Sequence, residues 1–370
     1  MKRFHVFIII FIVFLSGCTA DESIEEIQVS NYVGLVTSVY ADSLPNKMYE
    51  GDRIYLQIQV ENQGDYDVSE ELYYLNVKGI NPGAYEGLEE EDLVKSSGQG
   101  LLSLGDFGND TIIRGQEVFT IGSTSFYYCN DIDNDLELNL HAKSCYDYGT
   151  TAEISGCFIE STSTAGGGVC TASEFKSVIN SVSPVTVTEI AESVAGASAV
   201  RFRVKVENLG KGTVFDKYAK IGVEGEDSVF TSVATTLSKC DTLRPDQKNL
   251  VYIDSITLDG TPLILTYEGG VEEIKDTTLP RNRFRLDRNG VGRFSFMTET
   301  TGLEFVGNVE IELSYGYSET DIFSTTIQAL SDFAPQQCSL SATDTPNGET
   351  EESQTTGRSG DTTFVVDRGL

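Results

Sequence analysis

The chain has 370 residues and a formal net charge of -31, with 57 acidic and 26 basic side chains. This acid excess disfavours binding to nucleic acid or to an anionic lipid surface, because phosphate groups attract Lys and Arg. It suits a solvated extracellular surface, a high-salt environment or binding of divalent cations. The length allows two domains of ordinary size, each with a core.

The first 17 residues have the parts of a secretory signal that ends at a cysteine. Two basic residues precede an apolar run, Val6 to Leu15, and small residues lead from it to Cys18. The run is too short for an ordinary membrane-spanning helix, which needs about 20 apolar residues. The segment resembles bacterial and archaeal lipoboxes, which implies cleavage before Cys18 and lipid on its sulfur. A plain signal peptide with a chance cysteine is the alternative.

A strand-like pattern occurs twice. Apolar and polar residues alternate over Ile54–Gly64 and again over Phe202–Gly210, and both segments end in an Asn-x-Gly turn. Alternation with a period of two predicts a strand with one buried face. Asn and Gly tolerate the positive backbone angles that end such a strand.

Each copy of the pattern also finishes in the same way. An alternating segment leads to a Tyr-x-Tyr unit, Tyr146–Tyr148 in the first copy and Tyr315–Tyr317 in the second. Ser, Thr and Gly residues follow, and then another strand-like run, Ala152–Ile159 or Ile322–Leu330. This order predicts a terminal β-hairpin in each copy.

The predicted fold class is all-β, with two tandem immunoglobulin-like β-sandwiches at residues 24–160 and 184–338. Residues 161–183 are predicted to form a linker with a short helix near Ala172–Ile179. Residues 339–370 are rich in Thr, Ser, Gly, Asp and Glu, which predicts a disordered acidic tail.

Short motifs support a family resemblance. The V-E-N-x-G strand ends, followed by Asp67-Val68 or by Thr213-Val214-Phe215, resemble the cell-adhesion-related CARDB modules of bacterial and archaeal surface proteins. The segment Cys145–Ile159 is similar to a pattern in secreted archaeal proteins. The resemblance spans Ile27 to about Leu330 and implies a fold and an extracellular location. It implies no catalytic residues, because these families share none.

Seven cysteines are present, and six remain once Cys18 is assigned to lipid. An even number in a secreted chain predicts that all six form disulfides. The first predicted hairpin would bring Cys145 and Cys157 together across its two strands. Elimination among the about 15 pairings that six cysteines allow leaves two more predicted disulfides, Cys129–Cys170 and Cys240–Cys338.

Two sites for non-protein groups are predicted. Asp131, Asp133 and Asp135 place carboxylates at alternate positions, as loops that bind Ca²⁺ do. The Gly and bidentate Glu of an EF-hand are missing, so an acidic turn before a strand is the alternative. Asn109 begins an Asn-Asp-Thr sequon, which predicts a glycan on a surface loop.

The sequence contains no pattern that identifies an enzyme active site. His141 is the one histidine after the signal, and alternation places it on a polar strand face. No Gly-x-Ser-x-Gly elbow or phosphate-binding Gly-x-x-x-x-Gly-Lys-Ser/Thr loop occurs. The sequence therefore predicts no catalytic residues, and no cofactor beyond a structural Ca²⁺.

Together these patterns predict a lipid-anchored, extracytoplasmic cell-surface protein with a non-catalytic binding, adhesive or scaffolding role. The expected partner is an extracellular or envelope protein, with self-association through sheet edges as one form of binding. Thr362–Val366 of the tail is a candidate donated strand. The alternative is an accessory subunit or a carboxylate-based enzyme of envelope processing, which convergent carboxylates in a concave pocket would favour.

Overall fold

The computed structural model describes residues 32–41, 43–101, 115–122, 125–159, 170–171, 175–196, 199–219, 232–274, 281–299 and 304–330. These residues are predominantly β-strand, and Val233–Ser238 (α1) is the one α-helix among them. The all-β class is therefore confirmed. Cys18, Asn109, Cys338 and the tail, including its candidate donated strand, lie outside the described residues.

The strands are numbered in chain order. Those of the N-terminal half are β1 Leu35–Val39, β2 Lys47–Tyr49, β3 Gln57–Asn62, β4 Tyr73–Lys78, β5 Tyr85–Glu86, β6 Val94–Ser96, β7 Gln116–Thr120, β8 Tyr127–Tyr128 and β9 Leu136–Phe158. Those of the C-terminal half are β10 Phe175–Lys176, β11 Ile179–Asn180, β12 Val185–Val194, β13 Ala199–Asn208, β14 Thr213–Phe215, β15 Leu250–Leu258, β16 Thr261–Pro262, β17 Leu265–Gly269, β18 Val271–Ile274, β19 Arg281–Arg285, β20 Val291–Glu299 and β21 Phe305–Gln328. Short 3-10 helices lie at Pro82–Ala84, Glu90–Leu93, Cys240–Thr242 and Pro245–Gln247.

One large sheet contains strands from both halves. Its main order is β18-β19-β15-β21-β9-β4-β6, and β2, β11, β14 and β16 also pair with its strands. Within the described chain, β1-β3-β7 form a three-stranded sheet, β10-β12-β13-β20-β17 form a five-stranded sheet, and β5-β8 form a two-stranded ribbon. The large sheet therefore joins the two halves through hydrogen bonds between backbones.

The two alternating segments form strands with one buried face, as predicted. The inward positions of β3 and β13 are buried and almost entirely apolar. The asparagine at the end of each strand holds the turn that follows. Asn62 Nδ2 donates to the carbonyl oxygen of Tyr66 (2.8 Å), and Asn208 Nδ2 donates to that of Gly212 (2.9 Å). The repeated Asn-x-Gly motif thus has the same structural role in both halves.

The two predicted terminal hairpins are wrong. Strands β9 and β21 continue without a turn for 23 and 24 residues. They pair antiparallel along almost their whole length, from Phe305 opposite Phe158 to Ile327 opposite Leu136. The Gly, Ser and Thr residues after each Tyr-x-Tyr unit stay extended because a neighbouring strand takes up their backbone hydrogen bonds. Turn residues therefore do not end a strand when a long partner is available.

The register of β9 and β21 indicates a local two-fold axis between the two copies. Tyr148 lies opposite Tyr315, and Tyr146 lies opposite Tyr317, so the second tyrosine of each Tyr-x-Tyr unit faces the first tyrosine of the other. Asp147, at the centre of this arrangement, lies opposite Gly316. The two copies therefore meet as the two subunits of a symmetric dimer would, within one chain.

The two smaller sheets of the halves pack on the same face of the large sheet. The hydroxyl of Tyr146 accepts a hydrogen bond from the backbone N–H of Leu35 (3.2 Å), and that of Tyr315 accepts one from Val185 (3.4 Å). These equivalent bonds connect β1 and β12, one strand of each small sheet, to the shared strands. A single cluster of buried hydrophobic residues extends through both halves.

The predicted helix in the linker is also wrong. Its described residues instead form β10, which pairs with β12, and β11, which pairs with β9. Val178 and Ile179 are β-branched and favour extended structure, and free sheet edges lie next to them. The limits predicted for the two domains are not tested by these features and stay predictions.

Gly64, in the first Asn-x-Gly turn, tests the packing of the tyrosine hydroxyls. A Cβ atom at this position would meet the Tyr148 hydroxyl and would lie 2.6 Å from the carbonyl oxygen of Val182. We expect Gly64→Ala to lower the free energy of unfolding by about 1–3 kcal/mol, because the backbone must move. Gly98→Ala is the matched control, since nothing lies within 4 Å of a Cβ atom there. Thermal unfolding followed by circular dichroism measures both, and equal midpoints for the two variants would contradict the described packing.

Candidate functional surface

The described disulfides differ from the predicted pairs. Cys145 bonds to Cys240, with Cα atoms 6.4 Å apart, and Cys157 bonds to Cys170, with Cα atoms 5.8 Å apart. The predicted Cys145–Cys157 bridge is wrong because both residues lie on β9, roughly 40 Å apart at the usual rise per residue. The Cys145–Cys240 bond links the two halves. Disulfides of this kind indicate an oxidising, extracytoplasmic environment.

The other two predicted pairings, Cys129–Cys170 and Cys240–Cys338, are therefore wrong as well. Cys129 is itself disulfide-bonded, and its partner lies outside the described residues, since the other four described cysteines bond to one another. Elimination failed because it started from a hairpin that does not form.

The predicted Ca²⁺ loop has a structural role. Asp135 Oδ1 accepts a hydrogen bond from the backbone N–H of Ala329 (3.1 Å), and Asp131 and Asp133 are exposed. The buried Glu50 holds the loop by accepting from the N–H of Ile132 (2.7 Å). In the described ranges, no group of three or more acidic, His or Cys side chains is arranged to hold a metal ion. The Ca²⁺ site stays a prediction.

A shallow groove crosses the outer face of the five-stranded sheet. It has a volume of about 410 Å³ and lies over β10, β12, β13 and β20. Its charged and aromatic lining consists of Phe175, Glu189, Arg203, Lys205, Arg293 and Phe294. Three cations and one carboxylate thus line a groove on a chain whose net charge is -31. This local reversal of charge makes the groove the candidate binding surface.

The cations are close together because of the sheet register. Lys205 lies directly opposite Arg293, and Arg203 is two residues away on the same face of β13. Side chains directly opposite each other have Cβ atoms roughly 4.5–5.5 Å apart, and like charges in such a pair destabilise the sheet. Within the described chain, neither Arg203 nor Arg293 has a carboxylate within ion-pair distance. Both guanidinium groups are exposed and available to a ligand.

Carboxylates at the margin of the groove already have partners. Glu268 pairs with Arg201 and Glu207 with Lys205. The hydrogen bond from Arg201 lowers the pKa of Glu268, and a hydrogen bond from the Thr188 hydroxyl, together with Lys205, lowers that of Glu207. These two glutamates therefore stay ionised, and they leave the two arginines as the cations that a ligand can approach.

Local two-fold symmetry provides an internal comparison. The positions in the first half that correspond to Arg203, Lys205 and Arg293 are Gln57, Gln59 and Val118, and Gln59 lies opposite Val118 just as Lys205 lies opposite Arg293. The same sheet therefore forms in the first half with uncharged side chains. Packing does not require the cations of the second half.

Phe175 forms one side of the groove. It lies opposite Ala191 in the short strand β10, and 71% of its surface is exposed. Gly269 contributes open space at the other side, since nothing lies within 4 Å of a Cβ atom there. An exposed ring beside paired cations can contact an apolar surface of a ligand whose anionic groups bind the guanidinium groups.

Part of this surface is indicated by the alternation of charged and apolar residues in β13, which was not used to predict a binding site. Arg201, Arg203 and Lys205 alternate with the buried residues of β13, so they necessarily share one outer face. Arg293 lies in a separate strand, and only the pairing of β13 with β20 places it beside them. His141 lies in β9 between Lys78 and Ile322 of the neighbouring strands, far in sequence from these cations.

A buried ion pair joins the halves on the opposite face of the large sheet. Lys217 Nζ lies 3.0 Å from Asp147 Oδ1, and the two side chains are only 6% and 9% exposed. Burial raises the pKa of Asp147 against the opposing effect of Lys217. Burial would lower the pKa of Lys217, but the combined effects of Asp147, Tyr218 and Asp254 raise it. The pair holds the C-terminal half against β9.

The segment around α1 strengthens this junction. Asp241 forms ion pairs with Lys78 of β4 and Lys143 of β9, next to the Cys145–Cys240 disulfide. Leu237 packs with Cys145 and its neighbours in a second, smaller hydrophobic cluster. These contacts hold the two halves together.

Comparisons with known proteins do not assign the chain to a group: no protein-family model matches it, and no curated protein sequence matches it significantly. In the described part of the chain, no helix has the length and apolar character needed to cross a membrane.

The buried pair gives a test of the junction. We expect Lys217→Met to destabilise the protein by about 3–5 kcal/mol, because the buried carboxyl group of Asp147 would lose its partner. Asp147→Leu combined with Lys217→Met should recover most of this loss, since neither charge is then buried. Arg244→Gln, which removes an exposed ion pair with Asp246, is the control and should change stability by no more than about 1 kcal/mol. Urea unfolding at neutral pH provides the measurement, and a single variant as stable as the control would show that the pair does not hold the junction.

Proposed function

We propose that the protein is a lipid-anchored cell-surface protein that binds an anionic partner without catalysis. In this proposal, lipid on Cys18 fixes the N-terminus to the membrane, and two immunoglobulin-like modules of CARDB type present the groove to the surroundings. The observation that carries the proposal is that Arg203 and Arg293, beside Lys205 in the groove of a strongly acidic chain, have no carboxylate within ion-pair distance in the described residues.

Energetics support a role for these cations in binding. Arg293 lies directly opposite a second cation, Lys205, which costs stability, and the equivalent pair in the first half is uncharged. Glu207 and Glu189 compensate the charge of Lys205, but in the described chain no carboxylate lies within ion-pair distance of Arg203 or Arg293. A bound anion would offset that cost by forming charge-assisted hydrogen bonds with the guanidinium groups. The exposed position of the cluster allows large ligands to reach it.

The architecture supports presentation of a surface. The shared strands, the buried Asp147–Lys217 pair and the Cys145–Cys240 disulfide fix one half against the other. A surface built on such a frame keeps its shape without a ligand, which reduces the entropic cost of binding.

The lipid anchor is tested by Cys18→Ser in the full chain, expressed in its natural host. We expect the wild-type protein to enter the detergent-rich phase of a Triton X-114 extraction and the variant to leave it, because a lipid chain is required for that partitioning. Ser16→Ala, which keeps both the cysteine and a small residue before it, is the control and should behave like wild type. Retention of the Cys18→Ser protein in the detergent phase would refute the anchor.

The binding surface is tested with the full-length protein in phosphatidylcholine vesicles, mixed with cell envelopes from a strain that lacks the protein. We expect Arg203→Gln combined with Arg293→Gln to weaken envelope binding by about tenfold or more, because charged hydrogen bonds are lost. Binding of the wild-type protein should also fall as salt is raised.

Lys239→Gln combined with Arg288→Gln is the matched control, because it removes two exposed cations outside the groove. It should bind envelopes as the wild type does. If both double variants bind equally, the groove is not the binding surface and the proposal fails.

A further inference from the structure

We propose that the groove binds an acidic polysaccharide, with uronate carboxylates on the arginines and a sugar ring against Phe175. This inference rests on the proposed function, since it names the ligand class of the same groove. The groove favours this ligand class through the side chains it provides and the free backbone groups it lacks.

The groove offers side chains and no backbone. Strand β12 is paired with β10 and β13, β13 with β12 and β20, and β20 with β13 and β17. The backbone groups of the three central strands are therefore used within the sheet. A peptide that binds by strand addition needs a free edge, so this face does not suit that mode. A sugar polymer is recognised through hydroxyl, carboxylate and ring contacts, which side chains provide.

The charges in the groove favour a ligand whose carboxylates are separated along its chain. Arg203 and Arg293 are the available cations, while Glu189 lies in the same groove and Glu207 and Glu268 lie at its margin. A continuous phosphate backbone would meet these carboxylates and the overall charge of -31, which disfavours nucleic acid. A polymer with one carboxylate on each sugar can place its anionic groups on the arginines and its hydroxyl groups beside the glutamates.

The aromatic residue explains why a sugar is preferred to a simple anion. Phe175 is 71% exposed and adjoins the cations, so its ring can pack against the apolar C–H face of a sugar. Ser295 adds a hydroxyl group to the lining, and the open position of Gly269 leaves room for a chain to pass. The groove is shallow, and we expect each contact to be weak. Many lipid-anchored copies on one cell would strengthen binding to a long polymer.

The experiment measures binding of full-length protein in phosphatidylcholine vesicles to three polymers. Polygalacturonate has the sugar and the charge, its methyl ester has the same sugar without the charge, and poly-L-glutamate has the charge without the sugar. We expect binding to polygalacturonate to exceed binding to either control by about tenfold, and to weaken with salt.

Substitutions in the groove test which side chains contact the polymer. Arg203→Gln with Arg293→Gln should reduce polygalacturonate binding by about tenfold or more, while Arg203→Lys with Arg293→Lys should keep a substantial part of it. Phe175→Ala should weaken polygalacturonate binding by about fivefold and leave binding to poly-L-glutamate unchanged, because only the sugar packs on the ring. Lys239→Gln with Arg288→Gln is again the control, and circular dichroism checks that each variant is folded.

The outcomes separate this inference from the proposed function. Equal binding of poly-L-glutamate and polygalacturonate, without an effect of Phe175→Ala, would show that the groove does not recognise the sugar and would indicate an acidic peptide as the ligand. Absence of polygalacturonate binding, with envelope binding that still depends on the two arginines, would overturn the ligand class and leave the proposed function intact. Loss of arginine dependence in both assays would overturn both.

Discussion

The pairing of β9 with β21 is the constraint on which the rest of the fold depends. Each strand begins beside a strand of its own half, β4 for β9 and β15 for β21. Near its end it pairs with a short strand of the other half, β11 for β9 and β2 for β21, which lies in the chain between two strands of that half's small sheet. Neither half can complete its part of the large sheet without the other, because each long strand contributes to both. The relative position of the halves is therefore set by backbone hydrogen bonds, and the disulfide and the buried ion pair add to an arrangement that the ladder already defines.

The repeated tyrosines explain how the small sheets attach to this ladder. Burial raises the pKa of Tyr146 and of Tyr315 well above the ordinary value of a tyrosine, so both hydroxyl groups stay neutral. A neutral hydroxyl can accept from a backbone N–H and also donate, which suits a boundary between two sheets whose edge groups need partners. Tyr148 and Tyr317 make the second equivalent contact, since each hydroxyl donates to the asparagine that ends the neighbouring alternating strand. The two motifs that recur in the sequence are therefore joined in space.

The features that could be predicted from sequence are those with a local cause. Alternation predicted β3 and β13, the repeated strand and turn patterns predicted an all-β chain, and the even number of cysteines predicted disulfides. The hairpins failed because a turn residue is only a preference, and a partner strand more than 150 residues away overrode it. All three wrong disulfide pairs came from that failure. Part of the groove could be predicted, since alternation places Arg203 and Lys205 on the same face of β13. The position of Arg293 could not be predicted, because it depends on the pairing of β13 with β20.

Departures from the local two-fold symmetry show where the two halves have different roles. At the centre of the axis, Asp147 of one copy faces Gly316 of the other, and a side chain at that glycine would collide with the ring of Phe215. The glycine thus admits the C-terminal segment that also provides Lys217, and the aspartate pairs with that lysine. On the other side of the molecule, neutral Gln59 and Val118 correspond to charged Lys205 and Arg293. The first departure is explained within the fold, because Asp147 pairs with the buried Lys217 and Gly316 leaves room for the ring of Phe215. In the second, Lys205 pairs with Glu207 and lies opposite Glu189 of β12, but Arg203 and Arg293 have no carboxylate within ion-pair distance in the described chain. These two arginines are the part of the departure that packing within the fold does not explain.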